Sequence, residues 1–304
     1  MAASVSDQLA WESKAGRVAA AAAALSAVCF VAGGAYLQIA TQRRSASSNE
    51  LLAAIGRQPA DYLIAGVVSA LAFLLLGMML AYLYRTARFR RENLPTAAIV
   101  LTVFGALGAA AVALGRPIDL AAAAGDLPSG ALRSGESTDA ALRERTSLQI
   151  IGILGLASNL ALAFALILIS LNSMRAGLLS RFLGVLGIVI GVLLPFLGAM
   201  PVLLFFWLCA LAALFVDRWP GGRGPAWATG RAIPWPGMAE RNAELDRRHA
   251  AADVGEDEDG AGTAGPIEPH QGERDPAVGA HATDPGNGGP PAGTRSKRKR
   301  GRRR

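Results

Sequence analysis

Six long apolar runs, separated by polar or charged stretches, dominate the first 217 residues, and scarcely an ionisable residue interrupts them. They cover residues 18–40, 62–84, 97–114, 148–171, 180–197 and 200–216. Each approaches the roughly 20 residues that an α-helix needs to cross a hydrocarbon layer about 30 Å thick. The last stretch, Leu179 to Val216, is too long for one crossing and carries Pro195, Gly198 and Pro201 near its middle, so two short helices joined by a tight turn are expected. The apolar residues lack the alternation of barrel strands, and a backbone in lipid must satisfy its own polar groups. The pattern therefore predicts an all-α fold, an integral membrane bundle of six transmembrane helices.

Composition agrees with this up to residue 217 and departs from it afterwards. Apolar residues make up 52% of the chain and charged ones 17%, against roughly 25% charged in soluble domains. In residues 238–304 Gly, Pro, Ala and charged residues take over, leaving too little apolar area to offset the entropy of ordering. That segment is expected to be a disordered cytoplasmic tail, with residues 1–17 a short cytoplasmic N-terminus and residues 18–217 the transmembrane domain. Lys14 and Arg17 before the Ala-rich first run resemble the start of a secretory signal. The run is long and further apolar segments follow, so a retained signal anchor is the better reading.

Orientation follows from the basic residues beside the runs. Arg85, Arg88, Arg90 and Arg91 crowd the second connection, Arg175 and Arg181 sit in the fourth, and Arg218, Arg223 and Arg231 follow the last run. The turn around Gly198 has no charge, so both termini are expected in the cytoplasm. Basic residues are sparser in the opposite connections, which hold Arg43, Arg44 and Arg57, then Arg116, Arg133, Arg143 and Arg145. The longer of these, Arg116 to Ser147, is expected to be broken by Pro117, Gly125, Pro128 and Gly130 and to regain a capped turn from Ser137 into Asp139 to Arg145. It reads as a surface loop, with a ligand-gripping lid as the sharper alternative.

Chemical motifs are few. Cys29 and Cys209 lie inside runs and read as small apolar side chains, and His249, His270 and His281 have no ligand spacing around them. The runs carry no GxSxG elbow, HExxH helix or phosphate loop, so neither a catalytic site nor a cofactor is expected. Ionisable residues mark proton and ion paths inside membranes, and here Asp61, Arg181 and Asp217 all sit at run ends. Glycines recur at helical spacing: Gly105 and Gly108, Gly152 and Gly155, then Gly184, Gly187 and Gly191. Such stripes let helix backbones approach closely and are read as packing sites. Asn159, beside Ser158 in the fourth run, is the candidate buried polar contact, either an interhelical hydrogen bond or a contact in a translocation path.

Past the last run, residues 218–237 space Trp219, Trp227 and Trp235 eight apart among Pro, Gly and Arg. No helix is expected there. The tryptophans read as an interfacial belt, with a partner-docking ribbon as the alternative. The tail carries an acidic patch, Asp253 to Asp259, and ends in a basic cluster: Arg295, Lys297, Arg298, Lys299, Arg300, Arg302, Arg303 and Arg304. Such a cluster gains roughly 1 kcal/mol per basic residue at an anionic leaflet. RNA phosphates would attract the same charges, though without aromatic side chains for base stacking.

The passage NSMRAGLLSRFLGVLGIVIG, from Asn172 to Gly191, together with RWPGG and AWATGRAIPWP, resembles uncharacterised multi-spanning membrane proteins of actinobacteria. The resemblance implies a six-span protein of a bacterial inner membrane and carries over no activity or site residue. The expected function is an envelope scaffold or assembly factor, not an enzyme, whose tail binds anionic lipid or a protein partner. A small-solute transporter or channel is the competing class, with RNA contact by the tail a further alternative. Convergence of Asn159, Ser69 and Thr102 on one cavity would favour transport.

Overall fold

The computed structural model describes residues 4–40, 55–126, 144–197, 201–220 and 222–235, with a few single positions elsewhere. The capped turn expected from Ser137 and the basic cluster Arg295 to Arg304 lie outside the described residues. The described chain is helical, with seven helices: α1, Val5–Ala40; α2, Pro59–Arg90; α3, Ala97–Asp126; α4, Thr146–Arg175; α5, Arg181–Leu197; α6, Pro201–Phe215; and α7, Pro225–Thr229.

Helices adjacent in sequence pack against each other, and α6 returns to α1, so the first six close into a ring in chain order. The outward faces are apolar. On α2, Leu63, Val67, Leu71, Leu74 and Met78 are exposed at three- or four-residue spacing, and α4 exposes Ile150, Ile153, Leu156, Leu160 and Phe164. Apolar area on this scale needs a nonaqueous neighbour. The first four helices are long and apolar enough to cross a membrane. At 1.5 Å per residue, the 17 residues of α5 and the 15 of α6 reach only about 25 and 22 Å. Helix α6 folds back on α5, because Trp207 Nε1 donates to the Leu183 carbonyl at 3.0 Å and Phe182 meets Phe206 edge-on at 6.2 Å.

Close helix contact runs along the glycine stripes, the arrangement that helix packing in lipid would call for. A Cβ on Gly105 would lie 2.8 Å from the Leu162 nitrogen, and one on Gly108 would collide with the Ser158 hydroxyl. Across α4 and α5, Gly184 abuts Met174, Gly187 abuts Ser170 and Trp207, and Gly191 abuts Ile167 and the Ala163 carbonyl. Gly155 makes ordinary contact with Val112. Gly152 faces open space, so its assignment as a packing position finds no neighbour among the described residues.

Two boundaries differ from the sequence reading. Helix α1 starts at Val5, inside the segment expected to be a simple N-terminal extension, and buries Gln8 and Glu12. Helix α3 runs through Pro117 to Asp126 where a broken loop is expected. Proline there removes only the hydrogen bond to the Ala113 carbonyl, and Gly66 of α2 brings its backbone against that carbonyl, 2.6 Å from where a Cβ would stand. Neighbouring backbone thus accommodates the fault.

The ends of α4 and α6 redirect the chain in the same manner. Gly177, at φ +75°, closes α4 with Leu178 N donating to Ser173 O at 2.9 Å and Gly177 N to Met174 O at 3.1 Å. Asp217, at φ +60°, closes α6 through Arg218 N to Ala213 O at 2.8 Å and Asp217 N to Leu214 O at 3.1 Å. The Asp217 carboxylate then accepts the Arg223 backbone N–H at 2.9 Å, turning the chain back under the bundle.

Candidate functional site

At one end of the ring the chain builds a polar knot that sequence inspection does not reveal. Arg90, the last residue of α2, donates Nη1 and Nη2 to the two carboxylate oxygens of Glu12 at 2.6 and 2.8 Å. Both side chains are buried, at 0% and 4% exposure. The same guanidinium donates to the Ala226 carbonyl in α7 from Nε and Nη2, each at 3.0 Å, and to the Thr86 carbonyl at 3.0 Å. Gln8 Nε2 donates to Glu12 at 2.9 Å, and the Tyr82 hydroxyl to the Glu12 carbonyl at 3.2 Å. A buried charge needs this kind of saturation, since desolvation otherwise outweighs the attraction.

Aromatic rings seal the knot. Tyr82 meets Trp11 at 5.5 Å, Phe215 at 5.1 Å and Trp227 at 6.4 Å between centroids, while Arg85 stacks over Trp11 at 3.9 Å. Trp227 Nε1 donates to the Leu178 carbonyl at 2.9 Å. Helix α7 corrects the expectation that residues 218–237 hold no helix: Pro225 opens this short turn and Gly230, at φ +67°, ends it. Trp227 is buried under the bundle, where a belt residue would face outward, because its indole N–H finds a carbonyl there. Trp219 and Trp235 are partly buried against the same core. The start of α1, the ends of α2, α4 and α6, and the Trp segment therefore share one face.

A second feature lies toward the other end. Between α2, α3 and α4 a cavity of about 410 Å³ is lined by Tyr62, Ser69, Phe73, Arg116, Gly155 and Asn159, with small apolar residues between. Asn159 is half-buried and makes no hydrogen bond among the described residues; neighbouring Ser158 bonds within its own helix, to Leu154 O at 2.6 Å. Asn159 and Ser69 thus share one cavity. Thr102 does not join them, being buried with its hydroxyl donated to Ala98 O at 2.7 Å.

The cavity is blind toward the knot. Beyond Phe73 and Asn159, a Cβ on Gly77 would sit 2.6 Å from the Ala106 methyl, and Gly105 presses on Leu162 and the Ser158 carbonyl. The glycine seam that packs the helices also closes the passage. At the open end Tyr36 donates to Asp61 at 2.7 Å, Ser147 to Asp119 at 2.7 Å, and Arg145 pairs with Asp126 at 2.7 Å.

Set against known protein families, curated proteins and solved structures, the chain matches none.

Proposed function

We propose that the chain is a multi-pass protein of a bacterial inner membrane, with six crossings and both termini cytoplasmic, that serves as a scaffold or assembly factor in the cell envelope. The observation carrying this reading is the knit face around Arg90 and Glu12. It joins the N-terminal helix, three bundle helices and the Trp segment into one fixed surface directly beneath a cluster of arginines. A pump or carrier needs that region to move. A fixed face suits a protein that holds others in position, and the basic tail would add attachment to anionic lipid or a protein partner.

Placing the knit face in the cytoplasm follows the basic residues Arg85, Arg88, Arg90 and Arg91 beside it. Helices α5 and α6 would be short crossings in a locally thinned bilayer. Both ends of that pair belong to the knit face, so the positions of the termini do not depend on how deeply its turn reaches.

The second reading, a small-solute transporter or channel, is favoured by the shared cavity of Ser69 and Asn159 and disfavoured by its closed floor. Solute flux into proteoliposomes separates the two. A scaffold gives none above protein-free vesicles, whereas flux that falls on Asn159→Ala would establish transport and overturn the scaffold reading.

A further inference from the structure

The cavity between α2, α3 and α4 holds more hydrogen-bonding capacity than the chain uses. Tyr62 is 5% exposed and its hydroxyl, buried against the cavity, has no partner. Arg116 lines the same mouth and makes no hydrogen bond or ion pair among the described residues. Three carboxylates at that end are engaged with other side chains, Asp61 with Tyr36, Asp119 with Ser147 and Asp126 with Arg145. Buried donors and acceptors are ordinarily satisfied, and a stranded one is costly. A ligand is the natural source of the missing partners.

The polar groups fall at two levels. Arg116 and Tyr62 stand at the mouth; Asn159 and Ser69 stand at the floor, near Ala109 and Phe73. Ala109 and Arg116 are seven residues apart on α3, a separation of about 10 Å at 1.5 Å per residue. Ala65 and Val112 form an apolar waist between the levels. The one guanidinium that lines the cavity, without a partner among the described residues, matches a single negative charge such as a carboxylate. The volume, about 410 Å³, lies within the range of small-molecule sites, about 300 to 1,000 Å³.

We propose that this cavity binds a medium-chain carboxylate with a second hydrogen-bonding group at its far end. The carboxylate meets Arg116 and the Tyr62 hydroxyl, the methylene chain fills the waist, and the distal group bonds Asn159. The inference stands on the cavity alone and does not require the scaffold reading.

Equilibrium binding of radiolabelled 10-hydroxydecanoate to the full chain in nanodiscs of zwitterionic lipid tests this, with empty nanodiscs subtracted and unlabelled 10-hydroxydecanoate, decanoate and 1,10-decanediol as competitors. Saturable binding is expected, with decanediol at least tenfold weaker and decanoate several-fold weaker. Arg116→Gln should abolish the preference over decanediol, and Asn159→Leu the preference over decanoate. Arg116 is exposed and Asn159 half-buried, so neither change should disturb folding, which the melting profile of each variant checks. Binding that does not saturate, or that saturates with equal affinity in wild type, Arg116→Gln and Tyr62→Phe, would overturn the proposal.

Discussion

Replacing Glu12 by Gln isolates the charge of the knot while keeping its shape. Glu12 receives both Arg90 nitrogens at 2.6 and 2.8 Å, and neither side chain is more than 4% exposed, so solvent screens the pair little. At an effective dielectric near 20, unit charges about 4 Å apart attract by about 4 kcal/mol. Breaking a buried pair from one side costs about 3 to 5 kcal/mol, because the partner keeps its desolvation penalty. Arg90 in the Gln variant would remain charged among neutral acceptors only, the carbonyls of Ala226 and Thr86 and the new amide oxygen, while the new amide NH2 would face a guanidinium N–H. The expected loss is therefore about 3 to 5 kcal/mol. The triple variant Gln8→Met, Glu12→Met and Arg90→Met removes both charges together with the amide that donates to Glu12, and strands mainly the Ala226 carbonyl, so it should lose only about 1 to 3 kcal/mol. Unfolding in mixed micelles titrated with SDS measures both, read by the fluorescence of Trp11 and Trp227, which flank Tyr82. A Glu12→Gln loss below about 1 kcal/mol, in the range of a solvent-exposed pair, would refute the reasoning.

Other perturbations probe the remaining elements. Trp227→Ala removes a buried ring and the hydrogen bond to Leu178 O, and should cost about 3 to 5 kcal/mol while speeding tryptic cleavage at Arg231, seen by mass spectrometry of the digest. Gly105→Ala drives a methyl against the Leu162 and Ser158 backbone and should destabilise by about 1 to 3 kcal/mol. Gly152→Ala meets open space and should be neutral or gain up to about 1 kcal/mol of helix propensity, so equal effects in SDS titration would contradict the packing seam. Deleting Arg295 to Arg304 should leave membrane insertion intact and weaken binding to anionic vesicles. Sedimentation that is unchanged across salt concentrations would count against the tail as a tether.

The helical class and the long apolar segments were legible because lipid imposes a one-dimensional rule on the sequence: continuous apolar length. Ring order and the knot were not, since they depend on which residues meet across helices. Glu12 and Arg90 are 78 positions apart and look like ordinary charges flanking apolar runs. Pro117 suggests a break when read alone; the helix continues because Gly66 of another helix covers the consequence. Trp227 carries the composition of an interfacial residue, but its position is decided by the Leu178 carbonyl, freed where Gly177 ends α4. Asn159 was visible as an anomaly. Its cavity was not, because Tyr62 and Arg116 sit at the edges of their apolar runs, where polar residues are ordinary.

Reporters fused to the two ends of the full chain, one active only in the cytoplasm and one only outside it, test the architecture most directly. With the start of α1 and the end of α6 on one face of the bundle, both ends should report the cytoplasm, from a protein that fractionates with membranes. Ends that report opposite faces, or a chain recovered monodisperse without detergent, would contradict the account.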